Sequence, residues 1–322
     1  MNNPAIICVG MATVDVLVQG VEALPRSGET GMVSGIALAI GGDATNQAVA
    51  LAKLGNRVAL WGVTGDDAQG QFIRQQCARR GIATDGLYID PQRPTSTAIV
   101  LIDKKGEHCF LGQRDGASTG LGAEHLNLDA IQPGLKALSV GSLFYAPRFD
   151  REALPQLLQK AKAVGALTIA DMVMDQTSYG LDALQEAWPY LDYVAPSELE
   201  AELLTGSKEP QAIAAAFQKR GVKNVILKRG ANGISAFLGD TMLTCPAFPV
   251  RVVDTTGAGD NFVAGFVHGL AHGFAPEKAL RFASAVAALS IQAVGAGAGL
   301  SNLQQVEEFL RQHTDLFVAV IR

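Results

Sequence analysis

The 322-residue sequence has few of the residues that mark several large protein classes. Its four cysteines lie far apart, without a CxxC pair or the Cys/His spacing of a zinc site, which excludes a disulfide scaffold and favours reduced thiols in a cytoplasm. Charged residues make up only 18%, the net charge is −5, and no five like charges are consecutive. A nucleic-acid partner is therefore not expected. A hydrophobic content of 48% excludes disorder as the main state.

Charge is also missing from residues 282–300, a property that this segment shares with membrane spans. Its apolar residues are mostly alanine, and it ends in the glycine tract 295–299, which fits a buried helix followed by a glycine loop better. The first apolar stretch has no basic residues before it and is interrupted by Asp15, which is not typical of a signal peptide. We expect no membrane partner and a cytoplasmic location.

Several catalytic motifs are absent. The sequence has no GxxxxGK[ST] motif, which excludes a P-loop NTPase. It also has no HRD or DFG motif and no HExxH motif, which excludes a protein kinase and a zincin. Residues 116–120 fit GxSxG, with Asp and His downstream, so a serine hydrolase is one alternative. The polar residues 113–115 stand where the buried strand of a nucleophile elbow should be, which argues against it.

Short apolar runs alternate with helix-like segments along most of the chain, which predicts an α/β fold whose mostly parallel central sheet carries helices on its faces. Glycines close the first two predicted helices, as expected for a residue just past a helix end. Strands are predicted at 5–10, 57–63, 167–170, 193–195, 225–228 and 250–253, and helices at 43–54, 69–80, 154–164, 198–204, 261–272, 276–290 and 302–312.

This alternation breaks in two places. Residues 15–40 lack helical spacing, and residues 97–102 and 108–111 read as a β-hairpin around the polar turn 103–107. Together these pieces predict a small antiparallel sheet beside the main one.

The strongest local motif is the run DTTGAGD at 254–260, which leads directly into an apolar helix. Small residues let the backbone approach a ligand closely, and the N–H groups at a helix start attract an anion. Asp260 alone could be an ordinary N-terminal acid stabilised by the helix dipole. Beside a glycine-lined anion cradle, the same carboxylate is placed to accept a proton from an attacking hydroxyl.

A second glycine motif, GGDATNQA at 41–48, stands at another predicted helix start. It lacks the GxGxxG order of a dinucleotide fold and lies too far from the first strand. Two interpretations stay open. Asp43 could be the N-cap after a Gly–Gly turn, or Asp43 and Asn46 could bind the hydroxyls of a polyol together with backbone amides.

The runs 254–260 and 41–48 resemble the two signatures of the ribokinase-like (PfkB) carbohydrate kinases, in the family's order and at about its separation. Asp15, the hairpin at 96–111, Asp171 and the segment 196–206 also match, so the resemblance covers essentially the whole chain. It implies a single domain over 1–322, a three-layer α/β sandwich with a small β-sheet lid formed by residues about 13–40 and 95–114. It also implies ATP-dependent phosphorylation of a sugar hydroxyl and a homodimer.

The resemblance further implies roles for individual residues. Asp260 is similar to the catalytic base, and Gly257, Ala258 and Gly259 are similar to the anion hole for the transferred phosphoryl group. The sugar-binding set would be Asp15, Gly41, Gly42, Asp43 and Asn46. Arg114, just after the hairpin, is a candidate contact to a phosphate or substrate carboxylate, the alternative being a solvated hairpin end.

For the nucleotide and the ions, the resemblance implies a further set of contacts. Lys228, Gly230, Gly257, Gly259, Ser284 and the glycine tract near Gly295 would lie on the nucleotide side. Glu200 would act on Mg²⁺ through water, and Asp254 and Thr256 would form part of a monovalent-cation site for K⁺. Asp171, at the end of a predicted strand, is a further site candidate because such strand ends face the ligand crevice.

The sequence departs from the family pattern at three positions. Ser197 replaces the Asn of an Asn-x-x-Glu motif, which is expected to alter Mg²⁺ and phosphate dependence. Asp43 stands where ribokinase itself has a lysine, and a carboxylate facing the substrate would repel acidic sugars. Gly299 replaces a side-chain ligand near the cation site.

Two alternatives share this fold. A nucleoside kinase would carry the same signatures, but such pockets usually stack the base on aromatic residues, which make up only 6% of the chain. A protein could also keep the fold and bind sugar or nucleotide without turnover. The presence of Asp260 argues against this second alternative.

Overall fold

The computed structural model describes residues 4–104, 108–175 and 178–321. The strands are β1 (Ile6–Val9), β2 (Thr13–Gln19), β3 (Gly35–Gly41), β4 (Val58–Gly65), β5 (Ala83–Asp90), β6 (Thr97–Ile102), β7 (His108–Gly112), β8 (Ala137–Leu143), β9 (Leu167–Met172), β10 (Tyr193–Val194), β11 (Asn224–Lys228), β12 (Ile234–Leu238), β13 (Thr241–Cys245) and β14 (Ala319–Ile321). The helices are α1 (Asp43–Lys53), α2 (Ala68–Ala78), α3 (Leu154–Ala163), α4 (Glu198–Thr205), α5 (Pro210–Gln218), α6 (Ala258–Ala271), α7 (Pro276–Ser290) and α8 (Leu303–Gln312).

The main sheet has the strand order β14-β13-β12-β11-β10-β9-β8-β1-β4-β5. Pairing is parallel from β5 across to β11 and antiparallel from β11 to β14. Strands β1, β4 and β8 are buried along their whole length, as expected for parallel strands covered on both faces. Successive residues of β1 alternate between the two hydrophobic cores of the protein. The predicted α/β sandwich is therefore confirmed.

All the predicted helices are present, with ends within a few residues of those expected. Helix α7 has the predicted bounds and begins with Pro276, which tolerates the first helical position because its missing N–H is not needed there. The chain turns after Ser290 into the glycine-rich segment, as expected. Within the part of the chain that the structure describes, no helix combines the length and the apolar character that crossing a bilayer requires.

The strand predictions are less complete. Strands β5, β8 and β12–β14 were not predicted; β5 carries Asp85 and Gly86, which are depleted in strands, and β8 contains two serines and a glycine. The predicted strand at 250–253 is wrong. This segment is irregular because the N–H groups of Val253 and Asp254 both donate to the carbonyl of Ile291, beyond α7, and not to a neighbouring strand.

The predicted small sheet is present, with the order β3-β2-β6-β7. It is mixed, which corrects the antiparallel prediction: β2 and β6 pair in parallel, through a long crossover that contains α1, β4, α2 and β5. The predicted lid segments, about 13–40 and 95–114, coincide with these strands. Part of the predicted hairpin turn, residues 105–107, lies outside the described residues.

The two faces of the small sheet differ in character. The cross-strand row Leu38–Val16–Ile99–Leu111 lies on one face, where Leu38, Ile99 and Leu111 are exposed. The adjacent row Ala39–Asp15–Ala98–Gly112 lies on the other face, because neighbouring strand residues point to opposite sides. Asp15, Ala98 and Gly112 of this second row line a cavity, so the small sheet covers it.

The turn after β8 has unusual backbone geometry. Ser142 and Phe144 have φ values of 74° and 71°, a region that residues with a side chain rarely adopt. Buried Asp150 holds the turn, because its Oδ2 accepts a hydrogen bond of 3.0 Å from the backbone N–H of Phe144. The turn delivers Phe144 and Tyr145 to the same cavity.

We predict that Asp150→Ala lowers the free energy of unfolding by about 2 kcal/mol, because it leaves the buried N–H of Phe144 unpaired. Asp150→Asn is the matched control. Burial raises the pKa of Asp150 well above its ordinary value, and asparagine keeps an acceptor oxygen without the charge. Denaturant unfolding should show a much smaller loss for the asparagine variant. Equal losses in both variants would contradict this anchoring role.

Candidate active site

A cavity of about 920 Å³ lies between the small sheet and the ends of the main-sheet strands. Residues following β1, β8 and β9 line it, which is where open α/β sheets bind ligands. Four carboxylates and one guanidinium are among its lining groups: Asp15, Asp43, Asp115, Asp260 and Arg114. The cavity is therefore strongly acidic.

The Gly41–Gly42 turn joins β3 to α1 and requires glycine at both positions. A Cβ on Gly41 would lie 2.1 Å from Oδ2 of Asp15, and one on Gly42, where φ is +87°, would lie 2.5 Å from the carbonyl oxygen of Met11. Gly42 is the N-cap and Asp43 is the first helical residue, so the alternative that Asp43 is the N-cap is wrong. The Asp43 side chain lines the cavity instead.

The second glycine motif places Asp260 in the first turn of α6. Gly257 caps this helix in the left-handed conformation, with φ +71°, and its missing side chain leaves room for the residue packed against it, Ala296. Asp260 is buried, and its Oδ2 accepts a hydrogen bond of 2.9 Å from Nδ2 of Asn46 on α1. The two motifs, 214 residues apart in sequence, therefore meet in one contact.

Three cavity carboxyls hold their protons more tightly than free acids do. Burial raises the pKa of Asp15 to about 6. Burial, with the charge of Asp171 next in importance, raises the pKa of Asp43 to about 7. Burial and the charges of Asp43 and Asp171 raise the pKa of Asp260 well above its ordinary value, against the opposing effects of Asn46 and Lys228. Ionisation of each carboxyl thus depends on its neighbours.

Lys228, at the end of β11, supplies the positive charge of this cluster. Its Nζ lies 2.6 Å and 2.7 Å from the two carboxylate oxygens of Asp171, at the end of β9. Burial lowers the pKa of Lys228, but the charges of Asp171 and Glu200 outweigh burial and keep that pKa above its ordinary value. The ammonium also abuts the start of α6, since a Cβ on Gly259 would lie 2.9 Å from Nζ.

Glu200 and Ser197 form a reciprocal cap at the start of α4. The Ser197 hydroxyl accepts a hydrogen bond from the N–H of Glu200, and Oε2 of Glu200 accepts one of 2.7 Å from the N–H of Ser197. Serine and asparagine are both good N-caps, so Ser197 preserves the local helix start. Burial raises the pKa of Glu200, and the charge of Lys228 opposes this rise.

Asp254 ties the segment before α6 to the glycine-rich segment after α7. Its Oδ1 accepts a hydrogen bond of 2.8 Å from the N–H of Thr256, and its Oδ2 accepts one of 2.7 Å from the N–H of Gly295. At Gly299 a Cβ would lie 2.1 Å from the carbonyl oxygen of Leu289. The close approach of the backbone therefore explains why a glycine, and not a residue with a ligating side chain, stands at this position.

The remaining predicted residues lie at the rim of this cavity or outside it. Arg114 lines it and is exposed, whereas Gly230 sits in an exposed turn after β11. Ser284 is buried on α7, with its hydroxyl 3.4 Å from Sγ of Cys245. Tyr145 lines the cavity but was missed, because its position depends on the unusual turn after β8, which has no sequence signature.

The serine hydrolase alternative is wrong. Ser118, the central residue of the GxSxG match, is 2% exposed and lies in a single 3₁₀ turn, with no strand-to-helix elbow. Its hydroxyl donates towards the carbonyl oxygens of Ala12 and Val63 and accepts a hydrogen bond from the N–H of Ala12. This serine is a structural link between backbone segments.

Comparisons with known proteins agree with this fold. The family model for the pfkB family of carbohydrate kinases matches residues 3–303. The chain is 29% identical over 315 residues to a ribokinase of Bacillus subtilis, covering 94% of this chain and 99% of the relative. It is 27% identical over 292 residues to a 5-dehydro-2-deoxygluconokinase of Geobacillus kaustophilus, covering 85% of each. A solved structure of Arabidopsis thaliana ribokinase complexed with ribose and ATP is similar, with a TM-score of 0.80, 27% identity and coverage of 96% of this chain and 99% of that one.

The fold, the two glycine motifs and the family match define a carbohydrate kinase. The chain belongs to the pfkB family, whose ribokinase-like members phosphorylate sugars with ATP.

Proposed function

We propose that this kinase phosphorylates a hydroxyl of a small, neutral, hydroxyl-rich sugar, with Asp260 as the catalytic base. The observation that carries the proposal is the Asn46–Asp260 hydrogen bond in the wall of the acidic cavity. It directs one carboxylate towards the space in which a substrate hydroxyl would lie, beside the start of α6.

In the proposed reaction, Asp260 accepts the proton of the substrate hydroxyl as that oxygen attacks the γ-phosphorus of ATP. The bond from phosphorus to the β,γ-bridging oxygen breaks, and ADP leaves. Negative charge on the transferred group is stabilised by the backbone N–H groups at Gly257, Ala258 and Gly259 and by the α6 dipole. The left-handed Gly257 and the side-chain-free Gly259 leave the backbone accessible to a phosphate.

Lys228 is proposed to contact the phosphates of the nucleotide. Its ammonium lies against Gly259 and is held by Asp171, so it can approach the anion hole without a large movement. Asp171 is thus a positioning residue for Lys228. The predicted nucleotide contacts of Gly230 and Ser284 lie outside the cavity described above and stay predictions.

The donor groups fit Mg²⁺ held mainly by phosphates and water. Among residues 4–104, 108–175 and 178–321, no three His, Cys, Asp or Glu side chains form a ready-made metal cluster. Mg²⁺ typically keeps several waters and uses one or two carboxylates, and Glu200 and Asp171 are the candidates here. When bound, Mg²⁺ would neutralise phosphate charge. Asp254 and Thr256, in the turn tied to Gly295, are the proposed residues of a K⁺ site.

The acidic lining supports a neutral substrate. Asp15 and Asp43 offer acceptor oxygens for sugar hydroxyls, and four carboxylates against the single Arg114 would disfavour a sugar acid. A nucleoside is the second candidate, because Phe110 and Tyr145 also line the cavity and could flank a base.

A coupled ADP-release assay with Mg-ATP tests this function. The panel should include neutral pentoses, hexoses and ketoses, sugar acids, sugar phosphates and nucleosides, with and without K⁺. We expect turnover with a neutral sugar and little with its acid analogue. Preference for a nucleoside would select the second candidate, and tight ATP binding without turnover on the whole panel would indicate a protein that has kept the fold without the chemistry.

Replacing the base should separate chemistry from binding. We predict that Asp260→Asn lowers kcat by at least about a thousandfold, because the amide cannot accept the hydroxyl proton, while the Kd for Mg-ATP changes by less than about threefold. Asp129→Asn, at an exposed carboxylate that does not line the cavity, is the control and should retain most of the activity. Substantial turnover by Asp260→Asn would refute the base assignment.

The charge cluster predicts that two variants shift the pH dependence of kcat/KM in opposite directions. Asp260 must be ionised, so kcat/KM should fall as pH decreases through its raised pKa. Asp43→Asn removes a charge that raises this pKa and should move the acid limb to lower pH. Asn46→Ala removes a hydrogen bond that lowers it and should move the limb to higher pH. Shifts in the same direction would contradict the effects assigned to Asp43 and Asn46 on the pKa of Asp260.

A homodimer and a cytoplasmic location are also proposed. The outer face of the small sheet exposes Leu38, Ile99 and Leu111 in one cross-strand row, an apolar surface that a second copy could cover. The four cysteines are free thiols, which is consistent with a reducing compartment.

Light scattering coupled to size-exclusion chromatography tests the dimer. We predict a dimer at micromolar concentration for the native chain and a monomer for Leu111→Glu, because the charge would be buried in the interface without a partner. Leu199→Glu, at an equally exposed leucine on α4, is the matched control and should stay dimeric. A monomeric native chain would rule out the proposed interface.

A further inference from the structure

A second cavity, of about 330 Å³, lies outside the proposed sugar site. It is formed by the small sheet, α1, α2 and residues 294–298. Of its lining residues only Asn46 also lines the larger cavity. Nothing in the proposed phosphoryl transfer uses this space.

The second cavity has apolar walls and two positive groups. Leu17, Val49 and Phe72 provide apolar surface, and Lys53 and Arg80 provide the charge. No carboxylate is among its lining residues. A combination of apolar side chains with a few charged groups is found in small-molecule sites, and the volume is at the lower end of their range.

Neither cation has a carboxylate partner in the described part of the chain. Lys53 donates a hydrogen bond of 2.9 Å from Nζ to the carbonyl oxygen of Gly297, and Arg80 donates to the backbone oxygen and Oε1 of Gln76. Burial and the charge of Arg80 lower the pKa of Lys53, so the positive charges of these two side chains repel each other. An anion would relieve this repulsion.

We propose that this cavity binds a small organic anion, a phosphate monoester whose apolar group packs against Leu17, Val49 and Phe72 while its phosphate pairs with Lys53 and Arg80. Guanidinium and ammonium groups both form charge-assisted hydrogen bonds to phosphate. The apolar side chains favour a phosphate that carries an apolar group over inorganic phosphate, which cannot pack against them. The site is distinct from the proposed anion hole at α6, because Gly257 and Asp260 line the larger cavity and do not line this one.

The position of the cavity links it to the proposed catalytic residues. Asn46 lines both cavities and hydrogen-bonds Asp260. Gly295, in the same segment as Gly297, is held by Asp254. A ligand in the second cavity therefore contacts the two elements that position the base and the proposed cation site.

Isothermal titration calorimetry with phenyl phosphate tests the proposal, using the full chain with saturating Mg²⁺ and adenylyl imidodiphosphate to fill the nucleotide site. We expect a submillimolar Kd for phenyl phosphate and at least about tenfold weaker binding of inorganic phosphate, which lacks the apolar group. Arg80→Met should weaken phenyl phosphate binding about tenfold. Arg79→Met is the matched control, because Arg79 is the adjacent exposed cation and does not line the cavity.

Unchanged phenyl phosphate binding in Arg80→Met would overturn the proposal, as would equal affinity for inorganic phosphate or the absence of binding at millimolar concentration. Circular dichroism and thermal unfolding of each variant would exclude a folding defect as the cause of lost binding. Because the readout is binding, and Arg80 lies outside the sugar cavity, failure here would leave the proposed kinase mechanism untouched.

Discussion

The hydrogen bond between Asn46 and Asp260 is the contact on which the organisation of the active site depends. It joins the starts of α1 and α6, and so brings together two glycine motifs 214 residues apart in sequence. Each motif needs glycine for a local reason, namely the close approach of Gly41 to Asp15 and the left-handed backbone at Gly257. Because both helices start at the same edge of the sheet, their first turns face one cavity, and the asparagine directs the carboxylate into it.

Around this contact the protein concentrates carboxylates that raise one another's pKa. Asp43 and Asp171 oppose ionisation of Asp260, while Lys228 favours it. Such a cluster costs stability, because buried like charges are poorly solvated. The same arrangement would suit the proposed phosphoryl transfer, since a carboxylate with a raised pKa is a stronger base than a free one. The ion pair between Lys228 and Asp171 offsets part of the cost and keeps a positive charge beside the proposed anion hole.

Sequence patterns predicted the helices far better than the strands. Helices have glycine or proline at their ends and a 3.6-residue period, and α7 was predicted with its observed bounds. The main sheet was harder because β8 reads as a mixture of apolar and small polar residues. The false strand at 250–253 is apolar apart from Arg251, but the backbone N–H of Val253 pairs with Ile291, just after α7. Similarly, the parallel β2–β6 pairing depends on a crossover that a pattern of local turns does not reveal.

The sequence by itself determined the α/β class, the two glycine motifs and the candidate catalytic residues, because these depend on residue type and short-range spacing. Only the tertiary structure decided that Asp43 points into the cavity and is not an N-cap, that Ser118 is buried among backbone carbonyls, and that Tyr145 reaches the site. These outcomes depend on contacts between segments far apart in the chain. Burial and mutual charge, which set the ionisation of Asp260, exist only once those segments pack together.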